Sequence, residues 1–348
     1  MTATRRHPPP PFCIFQSQFS IFPFRPILHA SGHSALLTGM ETVVSAPPRR
    51  IRVLVNRKSG LGRSFDSVQR AIDNCWNKPE IELTYQFCRD AADGSAKARY
   101  AAEQRIDRLI VVGGDGTVST VGAALIGSQT ALGVIPAGSG NGFARHFGIP
   151  LVPAEAVAAL ADSEVQTIDV GVVQERPFLV TCSMAWDAAL AQSFARSPVR
   201  GIIPYFFAGA YELFGYEPQP MTVDIDSRER LHFDDALIFT IANLTQYGGG
   251  AMIAPHARAD DNRLELVVAR RQDVRQLAAN IVRFFDGSIG EIPEIVFRSF
   301  RTLKVSRRRP ATIQVDGELV EVPADITVRV LPRALRVMVP SAAGEASR

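Results

Sequence analysis

No run of roughly 18 or more apolar residues occurs in the 348-residue chain, so no membrane-spanning helix is expected. Cysteine is scarce. Cys13, Cys75, Cys88 and Cys182 lie far apart, with no C-x-x-C pair and no His cluster beside them. That fits reduced thiols in a cytosolic protein better than a zinc site or a disulfide framework. A dominant charge is missing too. Five of the 38 Lys and Arg side chains and one of the 35 Asp and Glu precede Ile51, which leaves 33 basic against 34 acidic in the body. A neutral body has no field to draw it to a phosphate backbone, so no nucleic-acid partner is expected. With 46% hydrophobic and 21% charged residues, a disordered or fibrous chain is excluded as well.

Residues 1–49 differ from the rest. Pro8 to Pro11, Pro23, Pro26, Pro47 and Pro48 are spread among Phe residues of no fixed period. FCIFQSQFSIF follows Arg5 and Arg6, but Gln16, Ser17, Gln18 and Ser20 break its apolar core and Arg25 follows closely. A poorly ordered extension is expected, with Met40 as a second candidate start.

Ordered structure is predicted from Arg50. RIRVLVN, IELTYQFC, LIVV and ALGVI read as strands, and Phe65–Trp76, SAKARYAAEQR, TVSTVGAALIG and PAEAVAALAD as the helices between them. That alternation predicts a doubly wound α/β nucleotide-binding domain over residues 50–163. From 164 to 340 short strands bounded by turn signals predict a β-sandwich domain, interrupted by helical stretches at Ile202–Gly215 and Val274–Phe285. Residues 341–348 read as a tail.

The strongest chemical signal is Gly113-Gly114-Asp115-Gly116-Thr117, between an apolar strand and a helix. Open α/β sheets bind ligands at such strand ends, where glycine lets backbone approach a phosphate and the helix start offers N–H groups. Asp115 makes sense there if it holds a cation or a nucleotide hydroxyl; the bland alternative is a tight turn with Thr117 as N-cap. Two similar turns follow other strands: Asn56-Arg57-Lys58-Ser59-Gly60 and Gly138-Ser139-Gly140-Asn141. Ser59 and Ser139 can bind phosphate oxygens, although Asn141-Gly142 is also an ordinary turn pair. Three such turns on one sheet edge favour a nucleoside triphosphate. Asp316-Gly317-Glu318 offers two carboxylates two apart, one to accept a hydroxyl proton and one to stay near a metal; the alternative is a hairpin turn.

Taken together, GGDGT, the N-x-x-SG turn, PAGSGNGFAR, IDVG (Ile168–Gly171), YGGG (Tyr247–Gly250) and DGE resemble the diacylglycerol kinase catalytic-domain family over about residues 50–340. The resemblance implies an active site in the cleft between the two domains, ATP on Gly113–Thr117 and Ser139, and Asp316 as general base beside Glu318. It implies a structural Mg²⁺ held by the side chain of Asp261 and the carbonyls of Arg258 and Arg263. Here the loop has Asn262 where the family has Gly, which Asn tolerates better than most residues; a plain surface turn is the other reading. The family's Asn-Glu after GGDGT is replaced by Ser119-Thr120, and its G-F-D-A turn appears as Ala185-Trp186-Asp187-Ala188, with Asp187 a candidate contact to the acceptor.

The reading that follows is an ATP-dependent kinase of a lipid hydroxyl, cytoplasmic or peripheral at the inner membrane surface. Its candidate membrane contacts are the apolar Ile202–Phe214 stretch and Arg307–Arg309. NAD kinase is the enzymatic alternative, disfavoured because no Asn-Glu dipeptide occurs. A nucleotide-binding regulatory module that has lost catalysis is the other. The sequence names neither the lipid nor the oligomeric state.

Overall fold

The structure, a computed structural model, describes residues 47–57, 65–185, 217–270, 279–280 and 282–341. Residues 1–46 of the extension, Ser59, Gly60, Asp187 and the Ile202–Phe214 stretch therefore lie outside the described residues, as does half of the predicted 274–285 helix.

Four parallel strands open the fold: β1 (Arg50–Asn56), β2 (Glu82–Cys88), β3 (Arg108–Gly113) and β4 (Ala131–Pro136), side by side in the order β2-β1-β3-β4. β3 and β4 are buried along their whole length, which is why their sequences are apolar without alternation. Helix α1 (Phe65–Trp76) buries Val68, Ile72 and Trp76 and packs beside α5 (Pro153–Ala161); α2 (Ala91–Glu103) packs beside α3 (Asp115–Leu125). Order and pairing are those of a doubly wound sheet. α2 begins four residues before SAKARYAAEQR because the Asp90 side chain caps it, accepting from Asp93 N at 2.8 Å.

The second half is a sandwich. β7 (Thr181–Ser183), β10 (Ala236–Ala242), β13 (Leu264–Arg270), β14 (Ile295–Phe300), β16 (Ala311–Val315) and β17 (Glu318–Val322) form one layer, in the order β14-β13-β10-β7-β16-β17. β8 (Met221–Ile225), β9 (Glu229–Phe233), β15 (Thr302–Arg307) and the first half of β18 (Asp325–Pro340) face it. Phe239, Phe300, Leu303, Ile313 and Val328 fill the space between. Each such side chain contributes about 1.5–3 kcal/mol by leaving water.

The long strand β18 does not stop at the sandwich. It runs antiparallel to β15 and to β5 (Ser163–Val173), then parallel to β4 at Val337–Leu132. Both halves thus share one sheet. A bulge between Leu331 and Leu335 absorbs Pro332 and places Arg333 at φ 48°. Asp169 of β5 holds that bulge by accepting from Arg333 N at 2.7 Å, and holds the loop at Asn262 (φ 60°) by accepting from its N–H at 2.6 Å. Burial raises the Asp169 carboxyl pKa, against the pull of these two donors.

One expectation is corrected here. Arg307 is not a membrane contact: it takes an inward position on β15, is buried, and donates from Nη2 to Pro323 O at 2.7 Å. Only Arg308 and Arg309 of that run are exposed.

Candidate active site

The crevice lies where the sheet order reverses, between the carboxyl ends of β1 and β3. Asn56, the last residue of β1, donates from Nδ2 to Thr117 Oγ1 at 2.8 Å and so ties the first strand end to the start of α3. The N-cap of α3 is Gly114, not Thr117, which sits inside the first turn. The Gly138 turn lies directly against it. A Cβ on Gly138 would come within 2.7 Å of Gly114 Cα, so the glycines here are demanded by backbone packed on backbone. Gly116 has open space beyond its Cα and is exposed.

Asp115 joins the two turns. Its Oδ2 accepts from Asn141 N at 2.7 Å and its Oδ1 from Gly142 N at 2.8 Å, at the start of α4 (Gly142–His146). Asn141, left-handed at φ 51°, closes its own turn by donating from Nδ2 to Gly138 O and accepting from Gly138 N. Ser139 is exposed at the tip. From the sandwich side, Gly249 N donates to Gly140 O at 2.9 Å, which brings the Tyr247–Gly250 loop onto this turn.

Asp316 reaches the same place from the β16–β17 hairpin. Val315 pairs with Glu318, so Asp316 and Gly317 are a two-residue turn with φ 46° and 87°. The hairpin reading holds, and the expected alignment of Asp316 with Glu318 does not. The turn sends Asp316 inward, while Glu318 stays exposed and pairs with Arg176 at 3.3 Å. Asp316 Oδ2 accepts from Leu179 N at 2.6 Å and Ser119 Oγ at 2.8 Å; Oδ1 accepts from Val180 N and Thr181 N at 2.8 and 3.0 Å. Burial raises its pKa, and the donors, Leu179 N foremost, oppose that. Ser119, which stands where the family has Asn, is the single side chain among the described residues that bonds to this carboxylate.

Residues 50–173 match the diacylglycerol kinase catalytic domain, and residues 181–339 match the YegS C-terminal NAD kinase beta sandwich-like domain. The chain belongs to the diacylglycerol kinase catalytic-domain family. It is a kinase, a phosphotransferase with an alcohol group as acceptor. A diacylglycerol kinase of Mycobacterium tuberculosis (strain CDC 1551 / Oshkosh) is 28% identical over 299 residues, covering 84% of this chain and 95% of that protein. The protein named "Probable lipid kinase YegS-like" in Chromohalobacter salexigens is 33% identical over 204 residues, 54% of this chain and 62% of its own length. A solved diacylglycerol kinase of Bacillus anthracis str. Sterne shares the fold with a TM-score of 0.67 at 19% identity, over 86% of this chain and 99% of that one.

In the 258–263 loop Asn262 is left-handed, at φ 60°. Asp261 Oδ1 accepts from Arg263 N at 3.0 Å, and Arg258 pairs with Asp260 at 3.5 Å. Among the described residues no group of three or more His, Cys, Asp or Glu side chains could hold a metal ion. The donor chemistry still fits a divalent ion: Asp261 is a half-buried carboxylate, its pKa raised by burial, with Asp260 beside it. Arg57 lies 4.4 Å from the Phe87 ring centroid, a cation–π contact that steadies the described end of the first turn. One further residue, His146, stands in no motif that marks it in the sequence. Its Nδ1 accepts from Thr245 N at 3.2 Å and lies 3.0 Å from Thr245 Oγ1, pinning α4 to the sandwich.

Proposed function

We propose that the chain is an ATP-dependent lipid kinase that moves the γ-phosphate of ATP to a lipid hydroxyl of the diacylglycerol or sphingoid type. The observation that carries this reading is the convergence of two glycine turns and Asp316 at one sheet edge. Gly116, Ser139 and the α3 N-terminus offer donors to phosphate oxygens there, Asn56 stands beside them at the end of β1, and Ser59 and Gly60 are further proposed nucleotide contacts. Asp115 serves by keeping Gly113–Thr117 and Gly138–Asn141 in register, and Asn141 by holding its own turn. Mg²⁺, when bound, neutralises charge on the β- and γ-phosphates; Asp261, with the carbonyls of Arg258 and Arg263, would hold a second, structural ion.

Asp316 is the base in this proposal, and Ser119 stands between it and the acceptor. The lipid hydroxyl passes its proton to Ser119 Oγ as Ser119 passes its own to Asp316 Oδ2; the freed oxygen bonds to the γ-phosphorus as the bond from that phosphorus to the β–γ bridging oxygen breaks, and ADP leaves. Glu318 and Arg176 flank this corner, and Asp187 is the proposed contact to the polar head of the acceptor. Arg308, Arg309 and the Ile202–Phe214 stretch are the proposed contacts of a peripheral, cytoplasmic enzyme with an anionic leaflet.

One observation favours a second reading, a nucleotide-binding module without turnover. The four donors on Asp316 leave its carboxylate no vacant acceptor position. Incubating the full chain with γ-labelled ATP, Mg²⁺ and vesicles of defined lipids decides between them. Label in the lipid fraction is expected; ATP binding with no labelled lipid of any class would overturn the kinase reading in favour of the second.

A further inference from the structure

The opposite edge of the parallel sheet carries a cleft that the kinase reading does not use. It lies at the amino ends of the strands, where Arg108 opens β3 and Ala131 opens β4, and has a volume of about 410 Å³. Arg49, Arg105, Arg108 and Arg336 line it together with a single carboxylate, Asp107. That carboxylate is committed elsewhere, since Asp107 Oδ2 accepts from Arg49 N at 2.9 Å and Arg50 N at 2.8 Å. Arg336 donates Nη1 to neutral acceptors only, Gln129 O and Oε1, at 3.0 and 2.9 Å.

Arg108 is the residue that asks for a ligand. Only 8% of it is exposed, yet among the described residues its guanidinium has no hydrogen bond and no ion pair. The rest of β3 is Leu-Ile-Val-Val-Gly and fully buried. An apolar residue at 108 would serve that strand at no electrostatic cost, whereas a buried, unpaired charge is expensive. Desolvation already works against the Arg108 charge, Arg336 adds repulsion, and Asp107 offsets part of it. An anion in the cleft removes the cost. A planar guanidinium binds two oxygens of a tetrahedral oxyanion at once, which suits phosphate better than chloride.

We propose that this cleft is a binding site for a phosphate group, separate from the nucleotide crevice at the other edge of the sheet. The group belongs either to a soluble phosphate compound or to a phospholipid headgroup, which share the chemistry the arginines recognise.

The test uses the full chain and reads binding, not turnover, so its failure is separate from that of the kinase proposal. Inorganic phosphate is titrated calorimetrically, and phosphatidylglycerol-containing vesicles are co-sedimented against phosphatidylcholine vesicles. Arg108→Gln, Arg336→Gln and Arg105→Asn should each weaken binding by roughly tenfold; Asn suits position 105, which has φ 53°. Loss of phosphate binding in these variants assigns a soluble ligand. Loss of vesicle binding, with no uptake of free phosphate by the parent chain, assigns a headgroup. If Arg108→Gln does not fold, the other two variants decide. Binding of neither probe, or binding that survives Arg336→Gln and Arg105→Asn and so belongs to the glycine turns, overturns the proposal.

Discussion

Asp316 answers two requirements at once, and a substitution there reads both. An Asn in its place puts an amide NH₂ where one carboxylate oxygen now accepts two donors, so donors face donors in a buried site. We expect Asp316→Asn to cost about 2–4 kcal/mol of stability and to lower turnover roughly 10²–10⁴-fold. Denaturant melts beside a lipid-kinase assay check it; full stability would refute the hydrogen-bond account, and full turnover the base. Ser119→Ala keeps the carboxylate and three of its donors. It should fold with a loss of about 1 kcal/mol, drop kcat, and leave KM for ATP in place. At Asp115 the balance differs. Asp115→Ala removes both acceptors between the turns, so a fall of about 2–3 kcal/mol in stability should accompany the loss of ATP affinity. Calorimetric ATP titration shows whether the two move together. The motifs holding these residues were legible in the sequence because glycine and aspartate cluster after apolar runs. Their partners were not: Ser119 and Asp316 are 197 positions apart, and only the fold joins them.

Among the elements, α4 shows what a short helix can control. Its five residues place His146 against Thr245, and His146 Nδ1 can accept from Thr245 N only while the ring is neutral. Burial depresses the His146 pKa to about 4, against a weaker upward pull from Asp260. The unfolded ring titrates near 6.5, so between these values the unfolded chain binds more protons and folding stability rises with pH. Expressed as acidification, about 2–3 kcal/mol disappears as pH falls from about 6.5 toward 4. His146→Asn keeps an acceptor near the same place without titrating. Its stability curve, measured by urea melts across that range, should lack this component; curves that stay parallel would exclude His146 as the source. Elements with full burial were readable in advance, whereas β9 and β14 were passed over. Both are edge strands, half of whose side chains meet water, and their apolar alternation is correspondingly faint.

At the scale of the whole molecule, the sequence read as two consecutive halves, and the fold ties them through β18. Its far half escaped notice because Pro332 and Arg333 interrupt the pattern that DITVRV begins, and the bulge that accommodates them is held by Asp169 from another strand. Leu335, just beyond that bulge, is completely buried in the core of the parallel sheet. Leu335→Ala should therefore cost about 2–5 kcal/mol and lower protection in β3 and in β13 alike, as followed by amide hydrogen exchange. Loss of protection in β3 alone would show that the halves unfold separately.

That shared strand also bears on how the protein is made. Chains leave the ribosome from the amino end, and many domains fold as they emerge. Here residues 325–340 are translated after every other strand, yet they sit in the middle of the ten-stranded sheet, between β4 and β15. Until they arrive, β4 and β15 each present an open edge, and neither half can complete its layer. The nascent α/β half must therefore wait, partly formed, for nearly two hundred further residues. Ribosome-bound chains halted at Ala324 should be cleaved readily by protease, and chains carried past Pro340 by an appended linker long enough to clear the exit tunnel should resist it.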